Sequence, residues 1–158
     1  MSHDERVLFP SGAFFDALAS GASRVLDLER LGFAELRLAF AMRGADGATR
    51  SFGIVFDGYE LSSAGELEDL SAFDADAVVE GELATFGEMF DNIAAHGGAD
   101  LHHTFNALTL AGVPLEVKGD DPVRRDRVFR YAETIQQFLD AAAVLGAAPA
   151  DEPAPARA

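Results

Sequence analysis

What most constrains this chain is a change of hydrophobic period after Gly32. From Glu35 to Met42 the residues Leu36, Leu38, Phe40 and Met42 alternate with Arg37, Ala39 and Ala41. A period of two puts the first set on one face of a strand and the second set on the other. Gly44-Ala45-Asp46-Gly47 follows, and its Asp-Gly step tolerates the positive φ of a tight hairpin. A second alternating run then carries Phe52, Ile54 and Phe56 on one side. Asp57-Gly58 repeats the turn signal, and Tyr59 to Ser63 reads as a third strand. The centre of the chain is therefore an antiparallel meander with one apolar face to bury.

The flanking segments read as helices. From Ser11 to about Leu31 there are two pieces: Ser11 can cap, and Phe14, Phe15 and Leu18 share a face. Gly21 interrupts; Val25, Leu28 and Leu31 resume the spacing, with Leu26 beside them, until Gly32. Gly65 to Leu70 is acidic and reads as a short helix or loop, and Ala77 to Gly81 as a short strand. Thr85 and Glu88 have the spacing of a capping box. They open a helix with Phe86, Phe90 and Ile93 on one stripe and Met89 adjacent, stopped by Gly97-Gly98. Asp100 caps a further short helix with Leu101, Phe105 and Leu108, and Val113, Leu115 and Val117 alternate as the last strand. Asp121-Pro122 is a strong helix start, because Asp accepts from free N–H groups while Pro has none to leave unsatisfied. Behind it Val128, Tyr131, Ile135, Phe138, Leu139, Ala142 and Leu145 form one apolar stripe, which predicts a single helix to about Leu145. Residues 1–146 are expected to form one domain, and 147–158, rich in Ala and Pro, a disordered tail.

Charge excludes several functions. Twelve Lys and Arg against 27 Asp and Glu give a net charge of −15, which disfavours nucleic acid and anionic membrane surfaces. The one concentration of basic residues, Arg124, Arg125, Arg127 and Arg130, spreads around a predicted helix and reads as a solvated face. No window approaches the ~18 apolar residues of a membrane span. The start, MSHDERVLFP, has no cationic stretch followed by an apolar one. The expectation is a cytoplasmic protein with no stable membrane anchor. With no Cys it forms no disulfide.

Chemistry-bearing motifs are scarce. There is no G-x-S-x-G, no glycine-rich phosphate loop with Lys and no H-E-x-x-H. His96, Asp100, His102 and His103 form the most suggestive polar cluster. On a helix His102 and His103 point about 100° apart, however, and His96 lies across a Gly-Gly break, so metal binding is awkward. Asp74 with Asp76, and Glu66 with Glu68, read as solvated carboxylates rather than acid and base pairs. Asn106 suits either a cavity-facing polar group or a helix-terminus hydrogen bond. No catalytic residue, metal or cofactor is assigned. Thirteen Phe, two Tyr and no Trp suit either a dry core or a dry cavity, and composition does not choose between them.

Three segments carry a resemblance. They are the hairpin LRLAFAM and RSFGIVFDG followed by YELSS, the stretch DADAVVEGELATFGEMF, and the strand LTLAGVPLEVKGDD ending at Gly119 and Asp120. Together they resemble the sterol carrier protein type-two-like family of small lipid carriers. The long final helix departs from that family's pattern and reads as a lid over a cavity or as an interface.

The resemblance implies an α+β fold: a five-stranded, mainly antiparallel sheet with helices packed on one face, plus the long C-terminal helix. It implies non-catalytic binding of an apolar ligand (a sterol, a fatty acid or an acyl-CoA) between sheet and helices. On the predicted inward faces the lining residues are Phe40, Ile54, Phe56, Phe86, Phe90, Phe105, Leu108 and Val117. Two rival readings stand beside it. One is an accessory subunit with a filled core, whose final helix docks to an enzyme or to a second copy. The other is a small lipid-modifying enzyme using His102, His103 or Asp100.

Overall fold

The computed structural model describes residues 9–145, so the expected tail at 147–158 lies outside the described residues. Five strands, β1 (Ala34–Arg43), β2 (Thr49–Gly58), β3 (Glu60–Leu67), β4 (Ala77–Glu82) and β5 (Glu116–Lys118), form one sheet in the order β3-β2-β1-β4-β5. The β1–β2, β2–β3 and β4–β5 pairs are antiparallel, and β1–β4 is parallel. The meander follows the period-two pattern: Leu38 pairs with Ile54 and Phe40 with Phe52. At the first turn Gly47 takes φ 88° and Asp46 accepts from the Ala48 N–H at 2.9 Å.

Two strand boundaries differ from expectation. β3 runs on through Gly65 to Leu67 because pairing continues to Ser51↔Leu67, and Glu66 is fixed there by Arg50 at 2.8 Å. The last strand is only Glu116–Lys118, since Val113 and Pro114 belong to an exposed loop.

The helices bury the inner sheet face. Helix α1 (Gly12–Val25) is capped by Ser11, which accepts from the Phe14 N–H at 3.0 Å. It does not break at Gly21. That residue is buried where Val144 and Leu145 approach the helix, and a Cβ there would lie 3.3 Å from Leu145. The break comes instead at Leu26, after which Asp27 caps the short α2 (Leu28–Leu31). Helix α3 (Leu70–Phe73) lies on the opposite face, so the helices do not all share one side. Phe73 sits against Gly53, where a Cβ would approach its ring to 2.8 Å, and the Arg37 guanidinium lies 4.4 Å from the ring centre.

Helix α4 (Leu83–His96) follows β4 without a loop, so the expected capping box at Thr85 and Glu88 does not form. Glu88 is drawn to His103 instead. Helix α5 (Phe105–Thr109) is capped by Thr104, while Asp100 caps the turn before it by accepting from the His102 N–H.

The long final helix is not continuous. It comprises α6 (Pro122–Arg125), α7 (Arg127–Arg130), α8 (Ala132–Asp140) and a closing 3₁₀ turn (Ala141–Val144). Arg124 and Arg127 are both held at one carboxylate, that of Asp76, while Ile135, Phe138 and Leu139 are buried in the core. One straight helix cannot serve both anchors, and the chain bends at Asp126 and Tyr131. Much of the stripe is thereby used on this chain's own core.

The N-cap at Asp121 is as expected, accepting from the Val123 N–H at 2.9 Å. Asp121→Ala is expected to lower stability by about 1 kcal/mol in a denaturant titration, the usual effect of losing such a cap.

Candidate functional site

The space between sheet and helices is filled by rings. Phe15 of α1 stacks on Phe52 of β2 with centroids 4.6 Å apart. Phe86 of α4 meets Phe40 of β1 edge-on at 5.9 Å, and Phe138 of α8 meets Phe56 at 6.0 Å. Phe90 contacts Phe9 at 5.1 Å and Phe14 at 5.0 Å.

Of the eight residues expected to line a cavity, Phe40, Ile54, Phe56, Phe86, Phe90, Phe105 and Leu108 are buried, and Val117 is half-buried at the edge beside Val79. Only Phe40, Phe86 and Phe90 come together around a common gap, completed by Phe15, Met42 and Met89. That gap has no room even for a water molecule. Ligand pockets typically hold about 300–1,000 Å³. Phe56 belongs to a separate contact with Phe138, and Ile54, Phe105, Leu108 and Val117 do not border the gap. Asn106 is exposed and does not face it.

The larger concavities lie elsewhere. A groove of about 580 Å³ runs between α3 and the β4–β5 edge, lined by Leu70, Val78 and a mixed set of charges. Its wall contains Asp76, the residue that sequence reasoning misplaced as solvated. Asp76 is only 3% exposed. Its Oδ2 accepts from the Arg37 backbone N–H at 2.8 Å, and its Oδ1 from Arg124 at 2.7 Å and Arg127 at 3.3 Å. Arg124 also bonds Asp74 at 3.0 Å. Two of the four arginines read as a solvated face, Arg124 and Arg127, are thus partners of a buried carboxylate. A burial-plus-charge requirement of this kind leaves no periodic signal, because Asp76 and Arg124 are 48 residues apart.

A second polar cluster joins α4 to α5. His103 Nδ1 lies 2.7 Å from Asp100 and Nε2 lies 2.9 Å from Glu88. A carboxylate on each nitrogen favours the doubly protonated ring, so its pKa is raised, by Asp100 first and Glu88 second. Asp100 is held well below the usual carboxylate range by His103, with Asn92 also donating. His102 is exposed, and His96 Nδ1 meets the Asn92 carbonyl at 2.9 Å. Further on, Gln136 accepts from the Phe105 N–H at 2.7 Å, and Asp140 accepts from both Gln136 and the Ala99 N–H. Among the described residues no three His, Cys, Asp or Glu side chains gather as metal ligands. No described helix is long and apolar enough to cross a membrane.

The mixed sheet with its helical layer defines the fold of sterol carrier protein 2. A crystal structure of sterol carrier protein 2 superposes with a TM-score of 0.66 over 85% of this chain and 97% of that one, at 18% identity. The apo form of sterol carrier protein 2 from Yarrowia lipolytica matches over 90% of this chain and 97% of its own, with a TM-score of 0.51 and 18% identity. A conserved hypothetical protein of Thermus thermophilus, described as possibly a sterol carrier protein, matches at a TM-score of 0.53 and 17% identity, covering 88% of this chain and 87% of that one. No family profile and no curated protein matches the sequence. The chain has the sterol carrier protein 2 fold.

Two outcomes follow from the polar clusters. Removing Asp76 as Asp76→Ala strands two guanidinium groups and a backbone N–H. The expected loss is about 2–3 kcal/mol by chemical denaturation, less than for a fully buried pair because the arginines can regain water. For His103 the folded pKa lies above the unfolded value, so the stabilisation is complete below about pH 6.5. It fades as pH rises through the folded pKa. The melting temperature is expected to fall across that window, and His103→Gln to flatten the dependence.

Proposed function

We propose that the protein is a non-catalytic carrier of an apolar ligand, a sterol, a fatty acid or an acyl-CoA, admitted between the sheet and helices α1 and α4. The observation that carries this reading is where the residual gap falls. It sits between the sheet and those two helices, bordered by Phe40, Phe86 and Phe90 together with two methionines. Met42 and Met89 are unbranched and adaptable, the side-chain type that repacks most readily around an incoming apolar group. Ile54, Phe56, Phe105, Leu108 and Val117 would supply the remaining apolar wall as the gap widens. Ligand binding would be driven by removing about 25 cal/mol per Å² of apolar area from water, and specificity would be loose in the absence of a polar anchor. The fold it shares with sterol carrier protein 2 supports the reading.

The closed state supports a second reading, an accessory protein whose core stays filled. Native mass spectrometry and titration with a fluorescent fatty acid or sterol separate the two. Saturable uptake, competed by unlabelled ligand, is expected for the carrier. No uptake of any apolar probe, with a defined oligomer and no retained lipid, would overturn it. Phe90→Ala enlarges the gap at the expense of contacts with Phe9 and Phe14. It is expected to cost about 3 kcal/mol, the lower end for a packed Phe, and to raise uptake of a small apolar probe.

A further inference from the structure

The longest stretch of this chain without Asp, Glu, Lys or Arg runs from Leu101 to Leu115, in a sequence that is 25% charged. Within it Leu110, Ala111, Gly112, Val113 and Pro114 are consecutive exposed residues with no polar side chain. Leu110 is 86% exposed and Val113 is 69% exposed. Leu101, in the turn that precedes α5, is 85% exposed. Leu101 and Leu110 are the two most exposed large hydrophobic residues among those described.

These side chains are presented by a braced tip. The Gly112 N–H donates to the Thr109 carbonyl at 3.1 Å, and the Leu115 N–H closes the loop on the Leu108 carbonyl at 3.1 Å. Leu108 and Leu115 are both buried, so the base of the loop is anchored in the core while its tip stands clear.

A stable protein partner needs about 1,000 Å² or more of complementary surface, which a five-residue tip does not provide. A lipid interface imposes no such shape requirement and accepts a few apolar side chains individually. The charge distribution selects the kind of lipid. At −15 the chain is repelled by anionic headgroups, whereas the tip itself is uncharged and meets no penalty at a neutral surface.

We propose that the 110–114 tip docks the protein on a neutral, zwitterionic lipid surface. This inference stands on the exposed surface and does not depend on the core accepting a ligand.

The chain has no Trp, so Leu110→Trp places a single reporter at a solvated position. With phosphatidylcholine vesicles its emission is expected to shift to the blue and to be quenched by lipids brominated near the headgroup. Adding Val113→Glu in that background is expected to raise the lipid concentration needed by about tenfold or more. Emission unchanged up to millimolar lipid would overturn the proposal. So would a stronger response to vesicles rich in phosphatidylserine, or a blue shift that grows with protein concentration without lipid, which would mean that the tip meets a second copy. Uptake of an apolar probe, measured in the same samples, separates the two readings. Uptake without vesicle binding removes the tip proposal alone, and vesicle binding without uptake removes the carrier alone.

Discussion

Everything in this fold rests on β1 having its inner residues covered and both its edges paired. Leu36, Leu38, Phe40 and Met42 are all buried on one face, and the backbone bonds antiparallel to β2 on one side and parallel to β4 on the other. Burial of the sheet's inner face requires a helical layer, and the rings of α1, α4 and α8 meet it at Phe52 of β2, Phe40 of β1 and Phe56 of β2. Phe suits this task because it carries a large apolar surface and no polar atom to satisfy. Among the described residues no buried side-chain nitrogen or oxygen lacks a partner.

The parallel pairing of β1 and β4 requires the chain to leave β3, cross the outer face and re-enter beside β1. The connection is held by contacts of a kind different from the core. Arg37 donates to the Phe73 carbonyl and covers its ring, and Asp76 ties the start of β4 to the Arg37 backbone and to the final helices. One side of the sheet is therefore cemented by apolar area, and the other by a few directional contacts around short α3. That asymmetry leaves the outer face grooved and the inner face dry.

What was legible in the sequence was local. The meander, the Asp-Gly turn, the Ser11 and Asp121 caps and the inward set of apolar residues each follow from spacing within about ten residues. The misreadings have one physical origin, contacts between distant segments. Gly21 is a site of close approach to Leu145, Glu88 serves His103 rather than its own helix start, and the apolar stripe after Pro122 bends because Arg124 and Arg127 are held at Asp76. For the candidate site, seven of the eight residues placed inward are buried, and Val117 is half-buried at the edge. The sequence did not reveal that only Phe40, Phe86 and Phe90 share a gap, or that the gap is closed, because both depend on how rings from separate elements interlock.

The parallel pair also orders the events by which this chain would assemble. The β1–β2–β3 meander closes short loops, whereas Arg37 and Asp76 lie 39 residues apart and Arg127 a further 51 residues beyond Asp76. Loop closure of that length costs entropy before any contact repays it, so β4 and the final helices would be expected to join after the three-stranded meander. The carboxylate of Asp76 then acts as a late fastening. Its loss would act mainly on how fast the native state comes apart, and only weakly on how fast it is reached.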